Sequence, residues 1–200
     1  TLFDKLSAVD KSVIPSSPYL INNRNSRAVM NGLLEKGVDM TLYTNSLAST
    51  DAVYVAANLY KDMFTWRRRG MKVFLHDGTW PEEDIELPQG VKDAVWGTHD
   101  KTQIYETQKY TEVMIGTYNI DNRSNFYNSE MAVFCRGNDE FTKNVKDEIF
   151  KRAHQGIEIN EDGSATDRAG ERHSVYGSSK RGLLLMKMLA LPSWLLKFLL

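Results

Sequence analysis

The chain has 200 residues, a formal net charge of −1 and a single cysteine. This length suits one sizeable domain or half of a larger pseudo-symmetric one. The balanced charge gives no general attraction to nucleic acid, and one cysteine excludes an internal disulfide. We interpret Cys135, within the apolar run MAVFC, as a small buried thiol. Without a CxxC pair or a His/Cys cluster, the sequence predicts neither a metal site nor a cofactor.

The first part of the chain alternates predicted strands and helices. Apolar patterns, glycine stops and capping residues indicate a short N-terminal helix and then strand, helix, strand, helix and strand. The elements after the short helix are expected at residues 12–21, 25–37, 38–44, 52–69 and 71–76. Asn25 and Ser26 are the expected caps of the first long helix, and Thr50 or Asp51 of the second. This order predicts an α/β fold with a mixed β-sheet flanked by helices on both faces.

The second part of the chain is less regular. Residues 77–94 carry prolines and acidic side chains and are interpreted as a surface loop. Two strands are expected between Gly97 and Asn119, followed by a strand at 130–135 and an amphipathic helix at 138–154. We therefore divide the chain into a domain at 1–154, a polar linker at 155–182 and an apolar, amphipathic helical tail at 183–200.

The tail has two interpretations. Lys187, Pro192 and Lys197 interrupt its leucines and argue against a simple transmembrane span. Two short amphipathic segments, with Trp194 and the flanking Lys180 and Arg181, fit an anchor that lies in a membrane interface. A helix that docks on the domain, or on another part of the protein, fits equally well.

The stretch from Gly97 to Glu130 is unusually polar for a segment between apolar runs. On a strand, side chains two residues apart share a face, so His99 and Lys101 are expected to point the same way. If two strands pair here, Asn119 joins them. A proton carrier or nucleophile, a cation and an amide donor in one small volume are suited to holding and transferring a phosphate group.

Three segments of this stretch together carry a family resemblance. They read His99-Asp100-Lys101, then GTYNIDNRS at 116–124, then NSE at 128–130. This pattern resembles the second HKD motif of the phospholipase D superfamily. The upstream segment TNSLASTD at 44–51 is similar to the corresponding segment of bacterial cardiolipin synthase-like members. The resemblance covers roughly residues 12–150.

The resemblance implies transfer of a phosphodiester group, without metal, through a phosphohistidine. His99 would be the second-motif histidine and act as general acid/base, while Glu130 would accept a hydrogen bond from an imidazole. Glu106 occupies the position of the motif aspartate, which usually has a structural role. The implied catalytic residues are His99, Lys101, Asn119, Glu130 and Glu106. The implied phosphate-binding residues are Lys101, Thr117, Asn119 and Arg123.

A complete centre of this type needs two motifs, and the chain carries one. His76, His154 and His173 have no lysine two residues later. Because the chain begins at Thr1, we expect the first motif in an N-terminal half that is not part of this sequence. A second copy of the chain is the alternative.

These expectations lead to a working hypothesis about function. It is a cardiolipin synthase-like phosphatidyltransferase that acts on anionic phospholipid at a membrane surface, peripherally on the cytoplasmic side. The alternatives are a homodimeric phosphodiesterase or nuclease, and a lipid-binding fragment without catalysis. Nucleic acid is disfavoured as a partner, because surfaces that track its phosphates are normally richer in Lys and Arg.

Overall fold

The computed structural model describes residues 2–80 and 86–175, together with the isolated positions 184 and 188. Within these residues the chain forms helices, a π-helical turn and strands. The helices are α1 (Leu2–Ser7), α2 (Arg24–Glu35), α3 (Val53–Arg67), α4 (Gln89–Lys92) and α5 (Asp139–Ala153), and the π-helical turn is Arg123–Tyr127. The strands are β1 (Ser12–Ser16), β2 (Asp39–Asn45), β3 (Lys72–His76), β4 (Thr102–Glu106), β5 (Thr111–Gly116), β6 (Ala132–Arg136), β7 (Ile157–Ile159), β8 (Ala165–Thr166) and β9 (Arg172–His173).

The strands form one mixed sheet. Its order is β6-β5-β4-β1-β2-β3-β7-β8-β9. Strands β1, β2 and β3 run parallel, whereas all the other neighbours pair antiparallel. The helices α2 and α3 connect the parallel strands, as crossovers between parallel neighbours do. The predicted α/β fold with a mixed sheet is confirmed.

Helices cover both faces of this sheet. On one face, α2 and α3 contribute Met30, Leu33, Met63 and Trp66 to the larger apolar core. On the other face, the α5 residues Ile149 and Ala153 pack with strand residues such as Phe74. The sheet centre is therefore shielded from water on both sides, which explains why all five residues of β1 are buried.

The segments that carry the motif residues meet where the parallel strands end. We call this end of the strands the site edge of the sheet, which is distinct from the outermost strands β6 and β9. The parallel strands β1 and β2 end there, and β4 begins there because Thr102 pairs antiparallel with Ser16. Asn45, at the end of β2, ties the segment before β4 to this edge. Its side chain donates to the Thr98 carbonyl at 2.9 Å and accepts from the Thr98 amide at 2.8 Å. Gly97 is needed because a Cβ atom would lie 2.4 Å from the Ser49 carbonyl oxygen.

Both predicted helix caps are wrong. Helix α2 is capped by Asn23, whose side chain accepts from the Ser26 amide at 2.9 Å while Ser26 Oγ accepts from the Asn23 amide at 3.0 Å. Ser26 is thus the far member of a capping box. Helix α3 begins after Ala52 without a side-chain cap, and Asp51 instead accepts a hydrogen bond from Tyr19.

The start of the predicted linker is part of the sheet. Strand β7 pairs with β3, and Ile157, Ile159 and Ala165 are buried. The short strands cannot be recognised from the polar sequence of this region, because only a few of its residues face the core.

The domain boundaries stay a prediction, and apart from positions 184 and 188 the tail at 183–200 lies outside the described residues. Within the described residues, no helix is long and apolar enough to cross a membrane.

The thiol prediction also needs correction. Cys135 lies on β6, at the edge of the sheet, and is half-buried. An edge strand is covered on one side only, so the apolar run around this thiol is largely exposed.

Candidate active site

His99 and Lys101 lie in an extended segment just before β4, which begins only at Thr102. Strand β4 is therefore shorter than predicted, since it was expected to begin at Gly97. The side chains of His99 and Lys101 nevertheless contact each other, as predicted. Lys101 Nζ lies 2.9 Å from His99 Nδ1 and 3.4 Å from Nε2, and it donates to the His99 carbonyl at 2.9 Å. An ammonium group only donates hydrogen bonds, so the imidazole and the His99 carbonyl are both acceptors for Lys101.

The ammonium of Lys101 sits among carboxylates. Burial lowers the pKa of Lys101, since desolvation disfavours the charged form. Four carboxylates oppose this effect and favour the ammonium: Asp100, Glu130, Asp51 and Asp121. These four groups come from four different segments, so the folded chain concentrates charge around one lysine.

Thr117 and Glu130 form a second cluster across the β5–β6 connection. Thr117 donates to Glu130 Oε2 at 2.5 Å, and Asn128 donates to Oε1 at 3.3 Å. Burial alone would raise the pKa of Glu130, but hydrogen bonds from Thr117, Ser124 and Asn128 outweigh it and lower the pKa. Glu130 is therefore an ionised acceptor at neutral pH. Its role beside an imidazole stays a prediction, because the group that contacts His99 Nδ1 is Lys101.

The π-helical turn positions Asn119 and Arg123. Its buried anchor is Asp121, which accepts from the Ser124 amide at 2.7 Å, while Ser124 Oγ accepts from the Asn119 amide at 3.1 Å. Burial is the main reason that the pKa of Asp121 is raised. Asp121 and Ser124 thus fix the backbone of this turn. The side-chain amide of Asn119 and the guanidinium of Arg123 line a cavity beside it.

A cavity of about 210 Å³ lies between these segments. Its lining combines aromatic, aliphatic, amide and charged side chains: Tyr19, Ile21, Tyr54, Val55, Asn119, Asp121, Arg123 and Asn128. Among the described residues, the buried Asn119 Oδ1 has no hydrogen-bond partner. A buried polar atom without a partner is costly, so this amide is suited to contact with a ligand.

Glu106 lies away from this site. Strand β4 begins at the site edge with Thr102 and runs away from it to Glu106. Glu106 pairs with Ser12, the first residue of β1, at the opposite end of the strands. There Glu106 accepts hydrogen bonds from Ser12 and, at 2.9 Å, from Lys146 of α5. The structure therefore places Glu106 apart from the other implied catalytic residues, and its role in catalysis stays a prediction.

Sequence reasoning missed two residues of the site, Tyr19 and Asp51. The Tyr19 hydroxyl donates to both Asp51 carboxylate oxygens, at 2.6 and 2.8 Å, and its ring lies edge-on to His99 with 6.4 Å between centroids. Asp51 closes the segment TNSLASTD, whose resemblance to cardiolipin synthase-like members assigns no role to its individual residues. The structure thus brings together His99, Lys101, Thr117, Asn119, Arg123 and Glu130, with Tyr19 and Asp51 beside them.

An exposed apolar surface borders the site, and we call it the edge patch. Its members are large side chains of β5, β6 and the segment between them: Ile115, Phe126, Tyr127, Met131, Val133 and Phe134. Met131 is 75% exposed and follows Glu130 directly, and Val133 is 67% exposed. Val133 pairs with Ile115 on one face of the sheet and Phe134 points to the other, so these side chains lie on both faces of the β6 edge. Exposed apolar side chains grouped at a sheet edge are typical of an interaction site.

Comparison with known proteins gives the family. Residues 2–153 match the family described as cardiolipin synthase, PLD-like domain. Cardiolipin synthase C of Escherichia coli (strain K12) is 26% identical over 136 residues, which are 66% of this chain and 27% of that protein. The chain belongs to this family of phospholipase D-like domains. It spans less than a third of the length of the curated relatives it matches, from 27% to 29%.

Solved structures share the fold. The phospholipase D family member Nuc from Salmonella typhimurium superposes with a TM-score of 0.57 at 17% identity, covering 80% of this chain and 88% of that one. Phosphatidylserine synthase of Haemophilus influenzae Rd KW20 gives a TM-score of 0.65 at 14% identity and covers 100% of this chain and 44% of its own. At these identities the likeness concerns the fold alone.

Proposed function

We propose that this chain supplies one of two half-sites for metal-independent transfer of a phosphodiester group between alcohols of phospholipids, as in a cardiolipin synthase-like phosphatidyltransferase. The observation that carries the proposal is the convergence of His99, Lys101, Asn119 and Arg123 at the site edge of the sheet, beside a cavity. These side chains offer a proton carrier, two cations and an amide, which is the set needed around a phosphodiester.

The chemistry proceeds in two displacements. A histidine of the second half-site attacks phosphorus, the bond to the leaving alcohol oxygen breaks, and His99, as the imidazolium, donates a ring proton to that oxygen and becomes neutral. An incoming alcohol then attacks phosphorus, the P–N bond to the histidine breaks, and the alcohol gives its proton to His99. Lys101 and Arg123 stabilise the negative charge on the non-bridging oxygens, and no metal takes part in this scheme.

The edge patch is the proposed contact with the second half-site. The patch includes Met131, which directly follows Glu130. We therefore expect a second half-site that docks on the patch to reach the cavity. Burial of these six side chains would provide the apolar driving force for a stable contact. We expect the second half-site in another part of a longer protein, which agrees with the small share of its relatives that the chain spans. A second copy of the chain is the alternative.

The proposed substrate is an anionic phospholipid, met at a membrane surface. The cavity supports this, because the Arg123 guanidinium and the amides of Asn119 and Asn128 share it with the aliphatic Ile21 and Val55. Phosphate suits the first set, and the adjoining apolar part of a lipid suits the second. The proposed location is peripheral, on the cytoplasmic side of the cell membrane.

The test is a transfer assay with the full-length protein on vesicles of phosphatidylglycerol. We expect the His99→Ala variant to lose transfer by at least about a hundredfold. His173→Ala serves as the control, since His173 lies on β9 and pairs with Asp167 at 2.8 Å. Equal transfer by the wild type and His99→Ala would overturn the proposal.

A nuclease or general phosphodiesterase built from two copies of this chain is the second candidate. The edge patch favours it as much as it favours a longer protein, because a self-complementary apolar surface makes symmetric dimers. A dimeric mass for this chain in analytical ultracentrifugation, with hydrolysis of a DNA phosphodiester but no lipid transfer, would select it over the first.

A further inference from the structure

We propose that Tyr19, anchored by Asp51, is a positioning residue that fixes the plane of the His99 imidazole. The inference rests on the proposed function for its chemical meaning, but its geometry stands independently. Neither residue belongs to the HKD pattern. Each comes from a different segment at the site edge of the sheet.

The contact with His99 is nearly perpendicular. The two ring planes make an angle of 87° at a centroid separation of 6.4 Å. Aromatic pairs prefer such edge-to-face packing, which restricts how far either ring can rotate. Lys101 holds the same imidazole at Nδ1. Together the two contacts constrain both the position and the tilt of the ring.

Tyr19 itself is held firmly. Its hydroxyl donates to both oxygens of Asp51, and its carbonyl accepts from Ser17 Oγ at 2.9 Å. Directly after it, Leu20 forms a parallel bridge with Ile120, and the Ile21 amide donates to the Ile120 carbonyl at 2.8 Å. The Tyr19 segment is therefore attached to the segment that carries Asn119.

This attachment places Tyr19 between the segment that carries His99 and the segment that carries Asn119. It lines the same cavity as Asn119 and Arg123, while its ring contacts His99. A general acid must lie within hydrogen-bond reach of the leaving oxygen, and a displacement of about 1 Å can cost about a hundredfold in rate. Locking the imidazole plane would therefore affect the chemical step more than substrate binding.

The experiment has a spectroscopic arm that does not need activity. The His99 ring signals are assigned in ¹H–¹³C spectra of the chain and compared among Tyr19→Leu, Tyr19→Phe, Asp51→Ala and the control Tyr110→Leu. Tyr110 is a matched control because it also loses a ring, which stacks on Arg136 at 3.9 Å on the far hairpin of the sheet. We expect the His99 signals to shift and broaden in Tyr19→Leu, to shift less in Tyr19→Phe and Asp51→Ala, and to stay in place in Tyr110→Leu.

The kinetic arm uses the full-length protein on phosphatidylglycerol vesicles. We expect Tyr19→Leu to lower kcat by about tenfold or more with KM changed less than about twofold, and Tyr19→Phe to recover part of the loss. Unchanged His99 signals in Tyr19→Leu, or equal changes in Tyr110→Leu, would overturn the positioning role. If the signals move as expected but the wild type transfers no phosphodiester, the proposed function fails and the positioning geometry stands.

Discussion

Lys101 Nζ lies 2.9 Å from His99 Nδ1, so a cation rather than a carboxylate contacts the inner nitrogen of the motif histidine. The same ammonium lies 3.4 Å from Nε2 and donates to the His99 carbonyl at 2.9 Å. It also ties the two motif residues into one unit. Substitution of either residue should therefore disturb the other.

Removal of the Lys101 charge should abolish most of the activity. In Lys101→Met the side chain keeps its length but neither stabilises a phosphate oxygen nor donates to His99. We expect kcat/KM for transfer to fall by about a hundredfold or more. The measurement is steady-state transfer by the full-length protein, with Lys146→Met on α5 as the control. Retention of more than about half of the wild-type activity by Lys101→Met would contradict the role of the lysine.

The activity should decline at a pH below the ordinary pKa of lysine. Burial lowers the pKa of Lys101, and the charged form is lost as the pH rises through that lowered value. The alkaline limb of the pH–rate profile should disappear in Lys101→Arg, because arginine keeps its proton throughout this range. An alkaline limb that is the same in the wild type and Lys101→Arg would assign it to another group.

Glu106 should matter for stability and not for chemistry. Burial raises the pKa of Glu106, but hydrogen bonds from Ser12 and Lys146 outweigh it and lower the pKa in the folded state. The stabilisation is therefore present above the unfolded pKa and is lost as the pH falls through the folded pKa. In urea unfolding, Glu106→Gln should cost about 1 kcal/mol at pH 7 and progressively less in acid. A variant that is as stable as the wild type but inactive would contradict this assignment.

A charge in the edge patch should separate the half-sites without unfolding the domain. Val133→Asp places a carboxylate where we expect an apolar partner. The effect should be loss of transfer, with the circular dichroism spectrum and the melting temperature nearly unchanged. Val95→Asp is the matched control, since Val95 is 75% exposed and lies near the β3 side of the sheet, away from β6. Equal activity of the two variants would remove the edge patch from the interface.

Local sequence patterns predicted the elements but not the long-range contacts. The strands β1, β2 and β3 and the helix α5 follow from apolar runs and cap residues, which act over a few positions. The predicted caps at Asn25, Ser26, Thr50 and Asp51 are wrong because several polar residues precede each helix. Asn23 caps α2, whereas α3 begins without a side-chain cap and Asp51 accepts from Tyr19 instead. The sequence of 155–182 did not indicate β7, because this strand is recognised by its pairing with β3, which its own residues do not reveal.

The site was predicted as far as the family pattern extends. The pattern places His99, Lys101, Asn119 and Glu130 by spacing alone, and the fold brings their segments together. Spacing cannot show that β4 carries Glu106 to the opposite end of the strands. Nor can it show that Tyr19 meets Asp51, 32 residues later in the chain. Such contacts depend on the strand order and on the loops at the strand ends.

The most direct test of the central claim compares leaving groups. If His99 protonates the leaving oxygen, His99→Ala should lose about a hundredfold or more in cleavage of a phosphodiester with an alkyl alcohol leaving group. The same variant should lose far less with a nitrophenyl diester, because nitrophenolate departs without a proton. Equal losses with both substrates, or no loss with the alkyl diester, would contradict the role of His99 as the general acid of this half-site.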